Sequence, residues 1–221
     1  MKPWRSTRGP AGGFTLVELV LALAILAMLL VALLTFVFSM GELWGHGREQ
    51  RLFEQHVNAV ARHVESLFRR AALPTDGAML AEPFAVREVR TAGVGTPVLL
   101  SLDLPEGDRL FQWPAAPLPD VRAWLAVEPG EGLVIYWQSN LEADRDTQPA
   151  RRVLVSPLVT GIRYLYFDPA GGRWDERADL LRAAGGRWQV PDRVVLAFAY
   201  GPAKAERAIT LPLGNGALPV F

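Results

Sequence analysis

FTLVELVLALAILAMLLVALLTFVFSM, residues 14–40, decides the fold of this chain. It is almost wholly apolar, it contains one charged side chain, Glu18, and it carries no Pro or Gly. A signal-peptide core needs only about 7 to 15 apolar residues, whereas about 20 cross a bilayer as a helix. The run therefore predicts a membrane-spanning helix. No Ala-x-Ala-like cleavage pattern closes it near Met40. A carboxylate near the hydrocarbon costs roughly 2.5 to 3.5 kcal/mol on insertion scales, so Glu18 reads as a functional residue that needs a partner.

Residues 1–13 precede the run with Lys2, Arg5 and Arg8 and no acid. That charge bias holds the N-terminus on the cytoplasmic side. The basic leader, then Gly13-Phe14-Thr15-Leu16-Val17-Glu18, then the apolar helix, resembles the N-terminus shared by type IV prepilins and type II secretion pseudopilins. The resemblance implies that a membrane prepilin peptidase cuts after Gly13 and methylates the new N-terminal Phe14. It also implies that Glu18 meets a Phe14 amine, its own or a neighbour's, when subunits stack. The body would lie in the periplasm of a bacterium, anchored in the inner membrane until it joins the assembly.

Composition bounds the remainder. A chain of 221 residues has room for one span and one globular domain. Three of its 23 basic side chains lie in the leader, leaving 20 against 23 acidic ones. Such a body lacks the basic footprint of nucleic-acid binding. There is no cysteine, so disulfides and thiolate metal sites are excluded. An exported domain without disulfides must be held by its core. Half the residues are apolar, and Trp44, Trp113, Trp124, Trp137, Trp174 and Trp188 add aromatic surface.

From Gly41 the pattern changes. Gly41, Gly45 and Gly47 fall within seven residues, and each costs a helix about 1 kcal/mol relative to Ala. The stretch reads either as a joint or melted turn or as continued helix, with Trp44 suited to the membrane interface. Residues 48–72 then repeat Phe53, Val57, Val60, Val64, Leu67, Phe68 and Ala71 at three- and four-residue spacing, one apolar stripe of an amphipathic helix. Arg51, Glu54, Asn58, Arg62, Glu65 and Arg69 lie mostly off it, and Pro74 closes it. Continuous helix over residues 14–72 would measure about 90 Å.

Beyond Pro74 the sequence is β-rich. Residues 82–90, 98–104, 121–127, 133–138, 152–155, 159–167, 193–200 and 208–211 read as strands, short and β-branched or aromatic between Pro, Gly and Asp clusters. The expected class is α+β: a long N-terminal pilin-type helix, transmembrane in its first half, packed on an antiparallel β-rich globular domain. The expected division is a basic leader at 1–13, a transmembrane and assembly helix at 14–40, a Gly-interrupted joint and amphipathic helix at 41–73, and a β-rich extracytoplasmic domain at 74–221.

The C-terminal half carries Val159-x-x-Ile162-x-Tyr164-x-Tyr166-x-Asp168, then Gly172-Arg173-Trp174, then Trp188-x-Val190-Pro191-x-x-Val194. This resembles the J-type minor pseudopilin of type II secretion systems. In physical terms a strand leaves at Asp168-Pro169, turns through Gly171-Gly172, and Trp174 folds back over the sheet. Pro191 fixes φ at the start of the next strand. Residues 175–187 depart from that pattern and read as an insertion or short helix. Thr35 stands where major type IV pilins often carry Pro, and Glu18 is retained where the K-type tip subunit typically lacks it. The J resemblance implies I- and K-type minor pseudopilins and the major pseudopilin as partners, contact with exported proteins, and no cofactor.

No catalytic constellation is apparent. His56 and His63 are seven apart, whereas a helical metal pair prefers three or four. His46 is the third histidine. Glu142, Asp144 and Asp146 alternate in a loop without the Gly that turns an EF-hand. Ser101, Ser139 and Ser156 lack a nucleophile elbow. The glycines of residues 91–97 precede no Lys-led helix that would cradle phosphate. The expectation is a structural subunit and no enzyme. A minor pilin of a type IV pilus, acting in twitching, adhesion or DNA uptake, and a membrane-anchored extracytoplasmic binding domain are the alternatives.

Overall fold

The computed structural model describes residues 15–71, 83–93, 95–183 and 185–213, and within the helix it leaves the side chains of residues 42–46 undescribed. Pro74 lies outside the described residues. The fold is α+β. Among the described residues, helix α1 (Leu16–Ala71) is followed by nine strands. The chain divides into two compact units, Met1–Arg51 and Leu52–Phe221.

In the first unit the stretch Leu16–Gly41 has the length and composition of a membrane span. Its Leu, Val, Ile, Met and Phe side chains are all exposed. An apolar surface of that extent needs lipid or other apolar helices around it. The backbone continues as α-helix through Gly41, Gly45 and Gly47. A Cβ placed on Gly41 or Gly47 would meet no atom within 4 Å, so neither glycine is required for packing inside the chain.

The second unit holds two antiparallel sheets. The first runs in chain order, β1 (Phe84–Glu88), β2 (Val98–Leu104), β3 (Val121–Glu128), β4 (Gly132–Ser139) and β5 (Arg151–Ser156). The second has the order β7 (Arg173–Arg177), β6 (Val159–Asp168), β8 (Arg193–Tyr200) and β9 (Ala203–Thr210). Side chains alternate across each strand, so Leu100, Leu102 and Leu104 of β2 and Leu133, Ile135 and Trp137 of β4 point to one face. Val194, Leu196 and Phe198 of β8 do the same in the second sheet.

These faces and the helical stripe form one core. Phe53, Val57, Val60, Val64, Leu67, Phe68 and Ala71 are all buried, the whole of the expected stripe, and they share a cluster with residues of both sheets. Phe68 meets Phe84 edge-on, with ring centroids 5.7 Å apart. Polar ties flank the stripe. His56 lies 2.7 Å from Ser156 Oγ at the end of β5. Arg207 of β9 donates to Glu54 Oε2 at 2.8 Å and to Asn58 Oδ1 at 3.1 Å. Arg70 pairs with Asp108 in the β2–β3 connection. Two glycines are required for close approach: Gly107, with φ of 67°, would place a Cβ 2.0 Å from the carbonyl oxygen of Leu118, and Gly132, with φ of 103°, would place one 2.1 Å from that of Ser156.

The strand expectations hold for most of the sheet and miss in two places. The described residues 175–183 and 185–187 form no helix: Arg173–Arg177 is an edge strand hairpinned onto β6, and Arg182 bridges to Trp188 beyond it. The last strand begins at Ala203, five residues before the expected 208. Trp174 does fold back, against Phe167 at 5.1 Å, with the Arg193 guanidinium over its ring at 4.2 Å.

Leu67 is fully buried where the helix meets the sheets. Leu67→Ala is expected to destabilise the C-terminal unit by about 2 to 5 kcal/mol, the usual cost of a core Leu truncation. Denaturant unfolding of the full chain in detergent measures this, and exposed Leu154→Ala serves as the control.

Candidate functional site

The start of α1 is where the sequence concentrates its chemistry. Gly13 and Phe14, the expected cleavage and methylation positions, lie outside the described residues. Glu18 is described, and its surroundings are specific. Thr15 is the N-cap and Glu18 the third helical residue. Thr15 N and Thr15 Oγ1 each donate to Glu18 Oε2 at 3.0 Å, and Glu18 N donates to Thr15 Oγ1 at 3.3 Å. Leu19 N reaches Thr15 O at 3.2 Å and closes the first turn. This is a capping box, two orphan backbone donors satisfied reciprocally.

The box matters more here than on a soluble helix. In hydrocarbon an unsatisfied N–H costs several kcal/mol because no water replaces the lost bond. The box satisfies the Thr15 and Glu18 N–H groups with side chains. It also holds the carboxylate by one oxygen, Oε2, and among the described residues no donor reaches Oε1. Further along, Thr35 Oγ1 donates to Val31 O at 2.9 Å, so this hydroxyl within the span is satisfied by its own helix. In the sequence Thr15 figures only as a position of the Gly13-to-Glu18 motif, with no capping role assigned to it. Its signal was present, since Thr-x-x-Glu ahead of an apolar run is the sequence mark of a capping box.

The other candidates do not converge. The side chain of His46 lies outside the described residues. His56 contacts Ser156, but Ser156 is fully buried and also accepts from Leu158 N at 3.2 Å, so the pair ties helix to strand end and presents no open nucleophile. Ser101 donates to Ala85 O at 2.9 Å between β2 and β1, and Ser139 donates to Pro119 O at 2.8 Å in the β2–β3 connection, so both hydroxyls are engaged. Glu142 pairs with Arg151 at 2.5 Å, while Asp146 faces solvent beside Arg145 at 3.6 Å. Among the described residues no group of three or more His, Asp or Glu is placed to hold a metal.

His63 is a structural titrating group. Its Nε2 is buried with no hydrogen-bond partner among the described residues. Burial lowers its pKa below the usual imidazole range, Asp108 opposes this, and Arg70 adds to it. Burial pushes the Asp108 carboxyl up, but the Arg70 guanidinium, the Leu110 N–H at 2.8 Å and the His63 charge outweigh it and hold Asp108 below its ordinary value.

Residues 9–34 match the family described as the prokaryotic N-terminal methylation motif. The match covers the end of the leader (residues 9–13), the capping box and most of the apolar run, and it supports a type IV prepilin-like N-terminus on a membrane-anchoring helix. No curated protein and no solved structure matches the chain.

The depressed pKa of His63 fixes a pH dependence. The unfolded chain takes up the imidazole proton near pH 6.5, before the folded chain does. Stability from this group is therefore full above about pH 6.5 and falls as pH drops through the folded value. The Asp108 contribution is lost only at lower pH, around and below its unfolded value near 3.9. Unfolding midpoints of the full chain are expected to fall between pH 7.5 and 5.5, and His63→Gln is expected to flatten that slope.

Proposed function

We propose that this chain is a minor pseudopilin, a structural subunit at or near the tip of a type II secretion pseudopilus that helps initiate assembly and protein export. The observation that carries the reading is the capped carboxylate: Thr15 and Glu18 open an apolar helix within a stretch matching the methylation motif. A prepilin peptidase removes residues 1–13 and methylates Phe14. The helix then keeps the subunit in the inner membrane with its body in the periplasm.

Assembly follows from the carboxylate's open oxygen. The amine released at Phe14, from the same chain or a neighbour, becomes a further donor to Glu18, beside the two that Thr15 supplies. Charge pairing offsets the desolvation cost that the carboxylate carries in hydrocarbon. Buried polar pairs are best attested as devices that fix register, and a helical stack of identical or related rods needs a defined axial step. Packing of residues 19–38 against neighbouring helices supplies cohesion through dispersion and shape. The I- and K-type minor pseudopilins and the major pseudopilin are the proposed neighbours, with exported proteins contacting the body. The role is structural and uses no cofactor.

The alternative assignment, a minor pilin of a type IV pilus, shares the whole N-terminal mechanism. Mass spectrometry of in-cell cross-links to the tagged chain separates the two. Minor pseudopilins and secretion-platform proteins among the partners fit the proposal, while a major type IV pilin moves the chain to the pilus. For the mechanism itself, Glu18→Ala is expected to be processed normally and to be lost from the assembly. Thr15→Ala, which removes the cap but leaves the carboxylate, is expected to assemble better than Glu18→Ala. Full incorporation of Glu18→Ala would overturn the pairing role.

A further inference from the structure

The outer face of the first sheet, turned away from the helix, carries a cleft of about 270 Å³. Trp124 and Arg122 of β3 and Gln138 of β4 form its floor. The segment after β1 and the β4–β5 connection form its walls, bridged by Ala150 N donating to Arg90 O at 2.8 Å. Three guanidinium groups, of Arg90, Arg122 and Arg145, line it together with Glu88 and Asp146.

Each guanidinium is fixed in place by bonds that leave charge over. Arg90 Nη1 donates to the carbonyls of Asp146 at 2.9 Å and Thr147 at 3.0 Å. Arg145 Nη1 donates to the carbonyl of Asn140 at 3.1 Å. Carbonyls orient a guanidinium without neutralising it. Arg122 uses Nε and Nη2 on Asp103, at 2.7 and 3.3 Å, but Arg87 Nη1 also takes Asp103 at 3.2 Å, so one carboxylate serves two arginines. Asp146 stands 3.6 Å from Arg145 with its side chain almost wholly in solvent, where pairing is weak. Gln138 Nε2 donates to the carbonyls of Gln148 at 2.8 Å and Arg145 at 3.1 Å and stiffens the wall.

We propose that this cleft binds a single carboxylate side chain presented by an acidic polypeptide segment of another protein. The three arginines against Glu88 and Asp146 leave one positive charge in the lining, and Asp103 and Arg87 behind it cancel. One excess charge matches a monoanion. A phosphate dianion would meet Glu88 and Asp146 at the rim. The planar guanidinium fork is suited to a carboxylate, and its fixed orientation lowers the ordering cost of binding. The apolar floor at Trp124, which packs with Val89 and Ala150, raises the strength of each charged bond by displacing water. The site is independent of the assembly chemistry at Glu18.

The test is calorimetric titration of the full chain in detergent micelles with three probes: acetyl-Ala-Ala-Glu-Ala-Ala-amide, its Gln analogue, and inorganic phosphate. Saturable binding of the Glu peptide alone is expected, weakening with added salt. Arg145→Gln is expected to weaken it about tenfold, the scale of one charge-assisted bond. Asp146→Asn, which removes an opposing charge and no contact with the fold's core, is expected to tighten it. Equal binding of the Gln peptide, preferential binding of phosphate, or indifference to Asp146→Asn would overturn the proposal. The Asp146→Asn arm decides the matter even if Arg145→Gln disturbs the loop.

Discussion

One helical stripe has to satisfy two sheets at once, and the C-terminal unit is arranged around that demand. Phe53 through Ala71 present seven buried side chains on one face, and residues from both sheets close on them. A stripe at 3.6-residue period has a single direction in which to bury itself. The sheets supply complementary faces by their period of two. Arg207 of β9 and Ser156 of β5 then fix the flanks, one from each sheet. The ties are worth little as ion pairs in water. Their use is orientational, since each is specific for one rotation of the helix.

The opposite end of α1 obeys another solvent. There the apolar side chains are uncovered, and the polar groups are the ones that need partners. The Thr15–Glu18 box meets that need at low cost. It caps the helix and keeps the acid in place with the same three bonds. A carboxylate that is already half-satisfied enters hydrocarbon more easily than a bare one, yet remains able to accept another donor. Capping is one use of this side chain, and the proposed pairing with the Phe14 amine would be a second that the cap prepares.

What was legible in the sequence was whatever periodicity alone decides. The stripe from Phe53 to Ala71 was readable residue by residue, and β2 and β8 were readable end to end, β8 from its Val, Phe and Tyr and β2 from Leu100, Leu102 and Leu104 alternating with Ser101 and Asp103. The first half of β9 was not. Ala203-Lys204-Ala205-Glu206 favours helix by intrinsic propensity, yet it pairs with β8 along its whole length. Pairing outweighs propensity at such an edge. β7 was hidden for a similar reason, because Arg-Trp-Asp-Glu-Arg shows no apolar alternation on an exposed edge. Glu18 stood out as a lone acid in an apolar run. Thr15 did not, because its importance lies in a spacing and not in a residue type. The cleft on the outer sheet face was beyond the sequence, since Arg90, Arg122 and Arg145 come together only when two distant connections cross one sheet.

The central claim is that this chain is a prepilin-like subunit matured at Gly13. Intact mass and N-terminal fragment spectra of the chain purified from its native membrane test it most directly. The account predicts a species that begins at Phe14 and carries one added methyl on its amine. A chain that keeps residues 1–13, or one cut at any other position, would contradict it.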